Sequence, residues 1–522
     1  MSESVTLCSA TLGEDGKREP PLGPLYIAAA LERLGVRVDF RDYQLAPEAD
    51  CFSGGRLADF LASHAEIVAV SCFVDMLPAV IDATRMLREA NPDTTIILGG
   101  PGPSASADRI LELYPWIDGV VRGEGEETIE EWMLRRRAGS DDPTPIAGMS
   151  IRRGDRIISG SNRARQVDLE SLAAPAYHLA EWDAYGYARV ITTRGCAYRC
   201  SFCDVTALWG NRSVYREIDA VIDEMEFLRE VHGKTVITIV DDTFVQDRKR
   251  VKAFCGRLLE RRSRLTWSCF SRINLMSRGL AEAMALAGCR SVFYGIDSGS
   301  PAVLARTHKM VRAEDVLPVI AYSAEIFEFV EASFIWGYPF EELEDFKMTL
   351  DLAGGVSRWA PKVNVQLHRL SPLPNSPIYK EYPGPLLEPD PRDKPWLLLP
   401  AVLLEPEAAA IGRLVRAAPD VYPGFFTLPT PEEGEKRRLM GMVKRTLDRT
   451  IGATLFDPET ARLLDEEAPE SERALFEAET DSIGRIGVGL ALSFFGRIRR
   501  RRGSGCAPLV SARGPSLVRE RN

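Results

Sequence analysis

Arg194-Gly195-Cys196-Ala197-Tyr198-Arg199-Cys200-Ser201-Phe202-Cys203 sets three cysteines in a C-x3-C-x2-C spacing on one short loop, directly after the apolar run 188–191. Cysteine thiolates are the usual ligands of cubic iron–sulfur clusters, and a loop this short can wrap three corners of a [4Fe–4S] unit. No fourth ligand follows nearby, which leaves one iron open to a small molecule. The alternatives are a zinc site or three unrelated cysteines. Zinc takes four closed ligands, commonly as two separated pairs, and no second Cys/His pair follows at a suitable spacing.

With Phe202 between the last two cysteines, the loop resembles that of the radical S-adenosylmethionine (SAM) enzymes. The resemblance implies that Cys196, Cys200 and Cys203 hold the cluster and that the SAM amino and carboxylate groups chelate the open iron. Electron transfer then splits the sulfonium to a 5′-deoxyadenosyl radical.

A chain of 522 residues exceeds one hydrophobic core and points to two or three domains. At 45% apolar and 27% charged residues it is of ordinary globular composition, and its net charge of −10 argues against a nucleic-acid footprint. The ten cysteines lack the dense spacing of a secreted disulfide framework, and the first residues carry no export signal, so a reducing cytoplasmic setting is expected. The apolar stretch 486–495, broken by Gly487 and Gly489, falls short of the ~20 residues of a spanning helix. The arginines 497–502 after it suit a solvated tail or a surface helix on anionic lipid, and residues from 503 on are expected to be disordered.

Outward from the cysteine loop, the first 140 residues alternate short apolar strands (5–7, 36–40, 67–72, 95–98, 119–121) with helical periods such as 25–34 and 79–89. That alternation predicts an α/β, doubly wound, Rossmann-like parallel sheet. Ligands of such sheets lie beyond the strand C-termini. Those ends carry Ser71-Cys72-Phe73, Gly99-Gly100-Pro101-Gly102 and Arg122-Gly123-Glu124-Gly125-Glu126, whose glycines allow close approach to a flat ligand. With the Pro21-Leu22-Gly23 start of the first helix, this pattern resembles the cobalamin-binding domain fused to many radical SAM enzymes. The resemblance implies cobalamin contacts at Ser71, Gly99, Gly100, Gly123 and Glu124. Where other cobalamin folds carry an Asp-x-His-x-x-Gly loop, this chain has Arg18-Glu19-Pro20-Pro21-Leu22-Gly23, with no histidine to ligate cobalt.

Residues 141–187 are expected to form a linker, with turn character at Asp141-Asp142 and a two-strand hairpin over 151–158. Strands are then expected over 190–192, 236–240, 265–269, 291–294, 328–334 and 363–368. These resemble the partial (β/α)6 radical SAM barrel, placed at 188–380, with its chemistry at the strand C-terminal ends. Asp241, Asp242 and Thr243 end the second strand and resemble the family segment there, which implies contacts to the SAM ammonium; the alternative is a helix cap. Ser268 and Arg272 flank the end of the third, where Arg272 suits the methionine carboxylate or a surface salt bridge. Tyr294-Gly295-Ile296-Asp297-Ser298-Gly299-Ser300 resembles the Gly-x-Glu-Ser-Gly-Ser stretch of cobalamin-linked members, with Asp for Glu. It implies ribose contacts at Asp297 and Ser298, with Gly295 and Gly299 opening the backbone to adenosine. Gly337, in Ile335-Trp336-Gly337-Tyr338-Pro339, matches a Gly-x-Pro turn against adenine or is a plain tight turn. His308 beside Lys309, and His368, are more often structural than catalytic, and the remaining cysteines form no second cluster motif.

Ser371-Pro372-Leu373-Pro374-Asn375-Ser376-Pro377 resembles the closing Pro-Leu-Pro-Gly-Ser/Thr-Pro segment of cobalamin-type members. Residues 381–502 are expected to form a mainly helical C-terminal cap over the barrel mouth, carrying substrate specificity. Taken together, the resemblance implies a cobalamin-dependent radical SAM C-methyltransferase acting on a small metabolite or natural-product precursor. A radical dehydratase, cyclase or rearranging enzyme is the alternative, and a turnover-free sensor a third. The implied partners are a small-molecule substrate and an electron donor such as flavodoxin or ferredoxin, with no nucleic acid and no membrane span.

Overall fold

The computed structural model of the chain describes residues 3–12, 18–63, 65–139, 144–455 and 486. Asp141 and Asp142, the rest of the 486–495 stretch, the arginines 497–502 and the tail from 503 lie outside the described residues.

Strands β1 (Ser4–Ala10), β2 (Arg37–Asp42), β3 (Ile67–Cys72), β4 (Thr95–Gly99) and β5 (Gly119–Val121) pair in parallel in the order β2-β1-β3-β4-β5. The β1/β3 step is the topological switch, where doubly wound sheets of this order take their ligand. The hairpin β6 (Met149–Arg153) and β7 (Arg156–Ser159) adds two antiparallel strands beyond β5, so the first sheet runs on into the expected linker.

Both sheet faces are covered, which is why the inner strands β3, β4 and β5 are nearly continuously apolar, whereas the edge strand β2 (Arg37-Val38-Asp39-Phe40-Arg41-Asp42) alternates. Helices Leu22–Arg33 and Glu126–Arg137 pack on one face, and Gly54–Leu61, Leu77–Ala90 and Ala107–Leu113 on the other. Ile411, Val415, Tyr422 and Phe425 from the C-terminal region join that second layer. The C-terminal region therefore does more than cap the barrel: it completes the core of the first domain.

The second sheet holds six parallel strands in the order β15-β14-β13-β12-β11-β8. They are β8 (Ala188–Val190), β11 (Val236–Ile239), β12 (Thr266–Ser271), β13 (Cys289–Asp297), β14 (Phe329–Trp336) and β15 (Val363–Arg369), with a short pair β9 (Thr193–Arg194) and β10 (Val214–Tyr215) at the cysteine loop. Each expected barrel strand is present. Leu22, Leu25 and Tyr26 of the first helix sink into the barrel's core, as do Leu439, Met440, Met442 and Val443 of the last described helix, Glu433–Leu455.

Where β13 ends, its packing is tight. A Cβ on Gly299 would lie 2.3 Å from the Met348 carbonyl oxygen and 2.8 Å from Thr349 Cα, both backbone atoms of helix Leu343–Val356. Gly279, in helix Arg278–Leu286, has no atom within 4 Å of its would-be Cβ. Gly299→Ala is therefore expected to cost about 1–3 kcal/mol, and Gly279→Ala to stabilise by about 0.5–1 kcal/mol. Thermal melts of the two variants give shifts of opposite sign if this packing is correct.

Candidate active site between the facing strand ends

The cysteine loop leaves β9 through Gly195, whose φ of +91° and lack of Cβ are both required: a Cβ there would meet the Arg212 carbonyl at 2.5 Å. Gln246 ties the loop down, accepting from Ala197 N at 3.3 Å and Ser213 Oγ at 2.7 Å. Ser201 N donates to the Thr307 carbonyl (3.0 Å), and Ile378 N to the Ser201 carbonyl (2.7 Å). Cys200 is buried, Cys196 and Cys203 half-buried. Burial pushes the Cys203 thiol up to about 12, and Cys200, Asp242 and Cys196 add to the rise, so the three sulfurs share one poorly solvated recess. A bound metal centre is what holds such thiols as thiolates. Among the described residues no three His, Cys, Asp or Glu side chains converge tightly enough for a single ion.

At the end of β11 the two aspartates part company. Both Asp241 oxygens are spent on the neighbouring strand end, accepting from Thr192 N (2.7 Å), Thr192 Oγ1 (2.5 Å) and Thr193 N (3.0 Å). Asp241 is therefore a tie between β11 and β8, not a free ammonium contact. Thr243 stands at the N-cap position of the short 3-10 turn Phe244–Gln246 without a side-chain cap bond, and the longer helix that follows is capped by Asp247, which accepts from Lys249 N and Arg250 N. Asp242 lies in a recess that solvent reaches but protein walls; that surrounding, with the Asp241 charge, pushes its carboxyl up to about 6. Thr243 Oγ1 sits 3.5 Å from Cys196 Sγ.

Arg272, expected at the surface or on a carboxylate, is 4% exposed. Its guanidinium stacks 3.8 Å from the centre of the Tyr198 ring, and Nη1 donates to Cys200 Sγ at 3.4 Å. The Nε and Nη2 edge is buried without a partner. That edge is the planar fork that grips carboxylates. Ser268 lies further back on β12 and bonds Thr238 Oγ1 at 3.2 Å.

A register shift between Gly295 and Asp297 ends β13, with Asp297 at φ +70°. This re-aims its carboxylate at Lys309, with which it forms a buried ion pair. Lys309 is flanked by His308 (φ +54°) and Met310 (φ +55°), both left-handed, a strained backbone that persists only where its surroundings enforce it. The Lys309 ammonium lies 5.8 Å from the Phe202 ring centre in the cysteine loop. Ser298 turns away from the opening: it is fully buried, bonds Thr349 Oγ1 (3.0 Å) and accepts from Ser300 N (3.1 Å). Ser298 and Gly299 thus anchor the strand end to helix Leu343–Val356 instead of meeting ribose and adenosine. Gly337 (φ +82°) donates its N–H to Glu341 Oε2 at 2.8 Å. Glu341 in turn pairs with Lys436 at 3.2 Å, both fully buried, so the last described helix holds this turn.

On the first sheet, Cβ atoms on Gly100 (φ +90°) and Gly102 would meet the Cys72 and Phe73 carbonyls at 2.7 and 2.6 Å. The loop after β4 closes on the loop after β3 only because both are glycine. Gly100 also abuts Ser71 Oγ, and Gly99 contacts Val121. Gly123 (φ +71°), after β5, faces open space, and Phe73, after β3, is 51% exposed. These residues leave a cradle across the ends of β3 to β5 that fits a flat macrocycle. Glu124 does not serve that cradle, because both its oxygens are taken.

Glu124 Oε1 accepts from Arg194 Nη1 (2.8 Å) and Oε2 from Gln166 N (2.9 Å), while Glu126 Oε1 accepts from Arg194 Nη2 (2.6 Å). All three side chains are about nine-tenths buried. Arg194 also lies 5.1 Å from the Tyr26 ring centre. The segment after β5 is thereby joined to β9, the short strand that follows β8. Elsewhere on the junction, a Cβ on Gly424 would lie 3.4 Å from the Pro372 carbonyl, after β15, and 3.7 Å from Val74, after β3. The two sets of strand C-termini face each other across this junction.

Arg194, Tyr198, Gln246, Lys309, Glu341 and Lys436 have parts in this site that no spacing rule exposed. Arg194 and Tyr198 stood inside the quoted motif, but nothing local says what an arginine beside a cysteine loop will touch.

The B12 binding domain family matches residues 9–132 of this chain, and the Radical SAM superfamily matches residues 190–353. The chain is 26% identical over 345 residues to an uncharacterized methyltransferase of Pyrococcus horikoshii, covering 65% of this chain and 74% of that protein. It is 26% identical over 460 residues to the anaerobic magnesium-protoporphyrin IX monomethyl ester cyclase of Cereibacter sphaeroides, covering 84% of this chain and 73% of that protein. Among solved structures it shares its fold with the radical SAM methyltransferase TsrM of Kitasatospora setae, solved with cobalamin and a [4Fe–4S] cluster bound (TM-score 0.60, 20% identity, 73% of this chain and 74% of that one).

Arg194→Leu leaves two buried carboxylates facing each other without a cation. Breaking such a cluster costs about 3–5 kcal/mol, and here the loss falls on the contact between domains. Limited proteolysis is expected to cut the 160–187 connection faster in the variant, with a lower melting temperature; unchanged cleavage and melting refute the junction's role.

Proposed function

We propose that this chain, a radical SAM superfamily member with an N-terminal B12-binding domain, is a cobalamin-dependent C-methyltransferase acting on a small molecule. The observation that carries this reading is the confrontation of two strand-end faces. The cysteine loop with the buried Arg272 and Lys309 lies on one side, and the glycine-lined cradle after β3, β4 and β5 on the other. A substrate held between them meets both cofactor sites without leaving the junction.

The donor set fits the groups that the two domains take. Cys196, Cys200 and Cys203 would hold the cluster. Asp242 would accept from the SAM ammonium, and the unpartnered Nε–Nη2 edge of Arg272 would grip its carboxylate. Ser71, Gly99, Gly100 and Gly123 would border the corrin. When bound, the cluster and SAM supply one-electron radical chemistry and the corrinoid a transferable methyl group. This chain's residues supply placement: opposite charges at Asp242 and Arg272 fix the two ends of one amino acid, and the domain junction screens the space between from water. A one-electron donor such as flavodoxin or ferredoxin would act from the cytoplasm. No described helix is long and apolar enough to cross a membrane.

A second reading is favoured by one specific observation, the cyclase relative that aligns along 84% of this chain. In that reading the same radical site performs ring formation, dehydration or rearrangement, and no methyl group leaves the first domain.

Anaerobic reconstitution with iron, sulfide and hydroxocobalamin is expected to give about four irons and about one cobalt per chain. Cys200→Ala is expected to lose the iron and all reductive SAM cleavage while keeping its fold by circular dichroism. With a competent substrate, S-adenosylhomocysteine should accumulate beside 5′-deoxyadenosine; 5′-deoxyadenosine alone rejects methyl transfer in favour of the second reading. The Asp242 carboxyl, titrating at about 6, is protonated below that pH and charged above it. SAM affinity of the reconstituted protein is therefore expected to rise from pH 5 to pH 7.5. In Asp242→Asn it is expected to be pH-independent and about tenfold weaker at pH 7.5, the loss of one charge-assisted contact. A native affinity that does not change with pH refutes the contact.

A further inference from the structure

We infer that Arg272 sets the reduction potential of the iron–sulfur cluster through its hydrogen bond to Cys200, a role that rests on the radical SAM reading and goes beyond holding SAM. Three observations converge on it. The guanidinium is buried, 4% exposed, in an environment where an unpaired charge is expensive. It is fixed in place by the face of Tyr198, 3.8 Å away, from the same cysteine loop. Its Nη1 donates to Cys200 Sγ at 3.4 Å, and the other two donors, Nε and Nη2, have no protein partner.

A guanidinium stays protonated at any working pH, so no proton moves when the cluster changes oxidation state. One electron from an external reductant adds one negative charge to the cluster and its thiolates. A fixed cation donating to a ligand sulfur stabilises that extra charge, and does so more strongly in a poorly solvated recess than in water. Hydrogen bonds to sulfur and solvent exposure are the protein's controls on such potentials. The donor bonds the most buried of the three cysteines, where solvent competes least. Arg272 is therefore a positioning and tuning residue: one edge serves the cluster ligand, and the opposite edge is left for the SAM carboxylate. The sulfur side of this division acts with or without SAM.

The test uses the reconstituted full-length protein, without SAM, so that a lost grip on methionine does not contribute. The midpoint potential is measured by spectroelectrochemical titration with low-potential viologen mediators, and the reduced cluster is followed by electron paramagnetic resonance. In Arg272→Met the reduced-to-oxidised ratio at the native midpoint is expected to fall about tenfold, which is ~59 mV for a one-electron couple. Arg272→Lys, which keeps the charge without the planar fork, should recover part of the shift. Tyr198→Leu, which keeps the guanidinium and removes its platform, should show a smaller fall. A fully loaded Arg272→Met protein with an unchanged or raised potential overturns the inference. So does a variant pair, Met and Lys, that binds no iron, because Arg272 would then serve assembly. Native protein that fails to bind about four irons would instead defeat the cluster reading itself.

Discussion

One guanidinium holds the two halves of this molecule in register. Arg194 ends β9 immediately before the cysteine loop and places its two terminal nitrogens on Glu124 and Glu126, with Tyr26 against its face. Burying two carboxylates and one cation costs several kcal/mol per ion before their attraction is counted. The cluster survives because its geometry is nearly complete: bidentate division of the guanidinium, Gln166 N on the spare Glu124 oxygen, and Arg165 donating to the Arg194 carbonyl. Apolar packing slides, whereas an ion cluster of this kind has one register. It fixes the segment after β5 against the start of the cysteine loop.

The site itself is expensive to keep. Asp297, His308 and Met310 occupy left-handed backbone, Asp297 and Lys309 are buried together, and two Arg272 donors have no protein partner. Free energy stored this way must be over-determined by the surroundings. The barrel supplies that support. Ser298 and Gly299 lock the end of β13 to a helix, Asp241 ties β11 to β8, and the Glu341–Lys436 pair holds the Gly337 turn. Residues expected to touch SAM thus divide into Asp242 and Arg272, whose carboxylate and Nε–Nη2 edge open onto the recess, and those that hold these two still.

The C-terminal region links these parts. Arg369, at the end of β15, is fully buried and paired with Asp393 and Glu433, both beyond the barrel. Further along, Tyr422 bonds Tyr114 across the first domain, and Asp420 pairs with Arg109. A segment that completes the cores of both domains makes them one mechanical unit, which is what a reaction divided between two cofactor sites requires.

The sequence by itself determined the elements and the three-cysteine loop. Strand positions followed from runs such as 67–72, whose residues are buried on both faces, and the C-x3-C-x2-C spacing follows from what one short loop can wrap. Such features are local, so neighbouring residues carry the whole signal. What Asp241, Ser298, Glu124 and Arg272 do was not legible there. Glu124 is 70 residues from Arg194, Ser298 is 51 from Thr349, and Arg272 is 72 from Cys200. An exposed acid, a helix anchor and a free carboxylate look alike along the chain. Only the tertiary structure decided between them, because the charge and hydrogen-bonding of a buried polar group are settled by whichever partner the fold brings within about 3 Å.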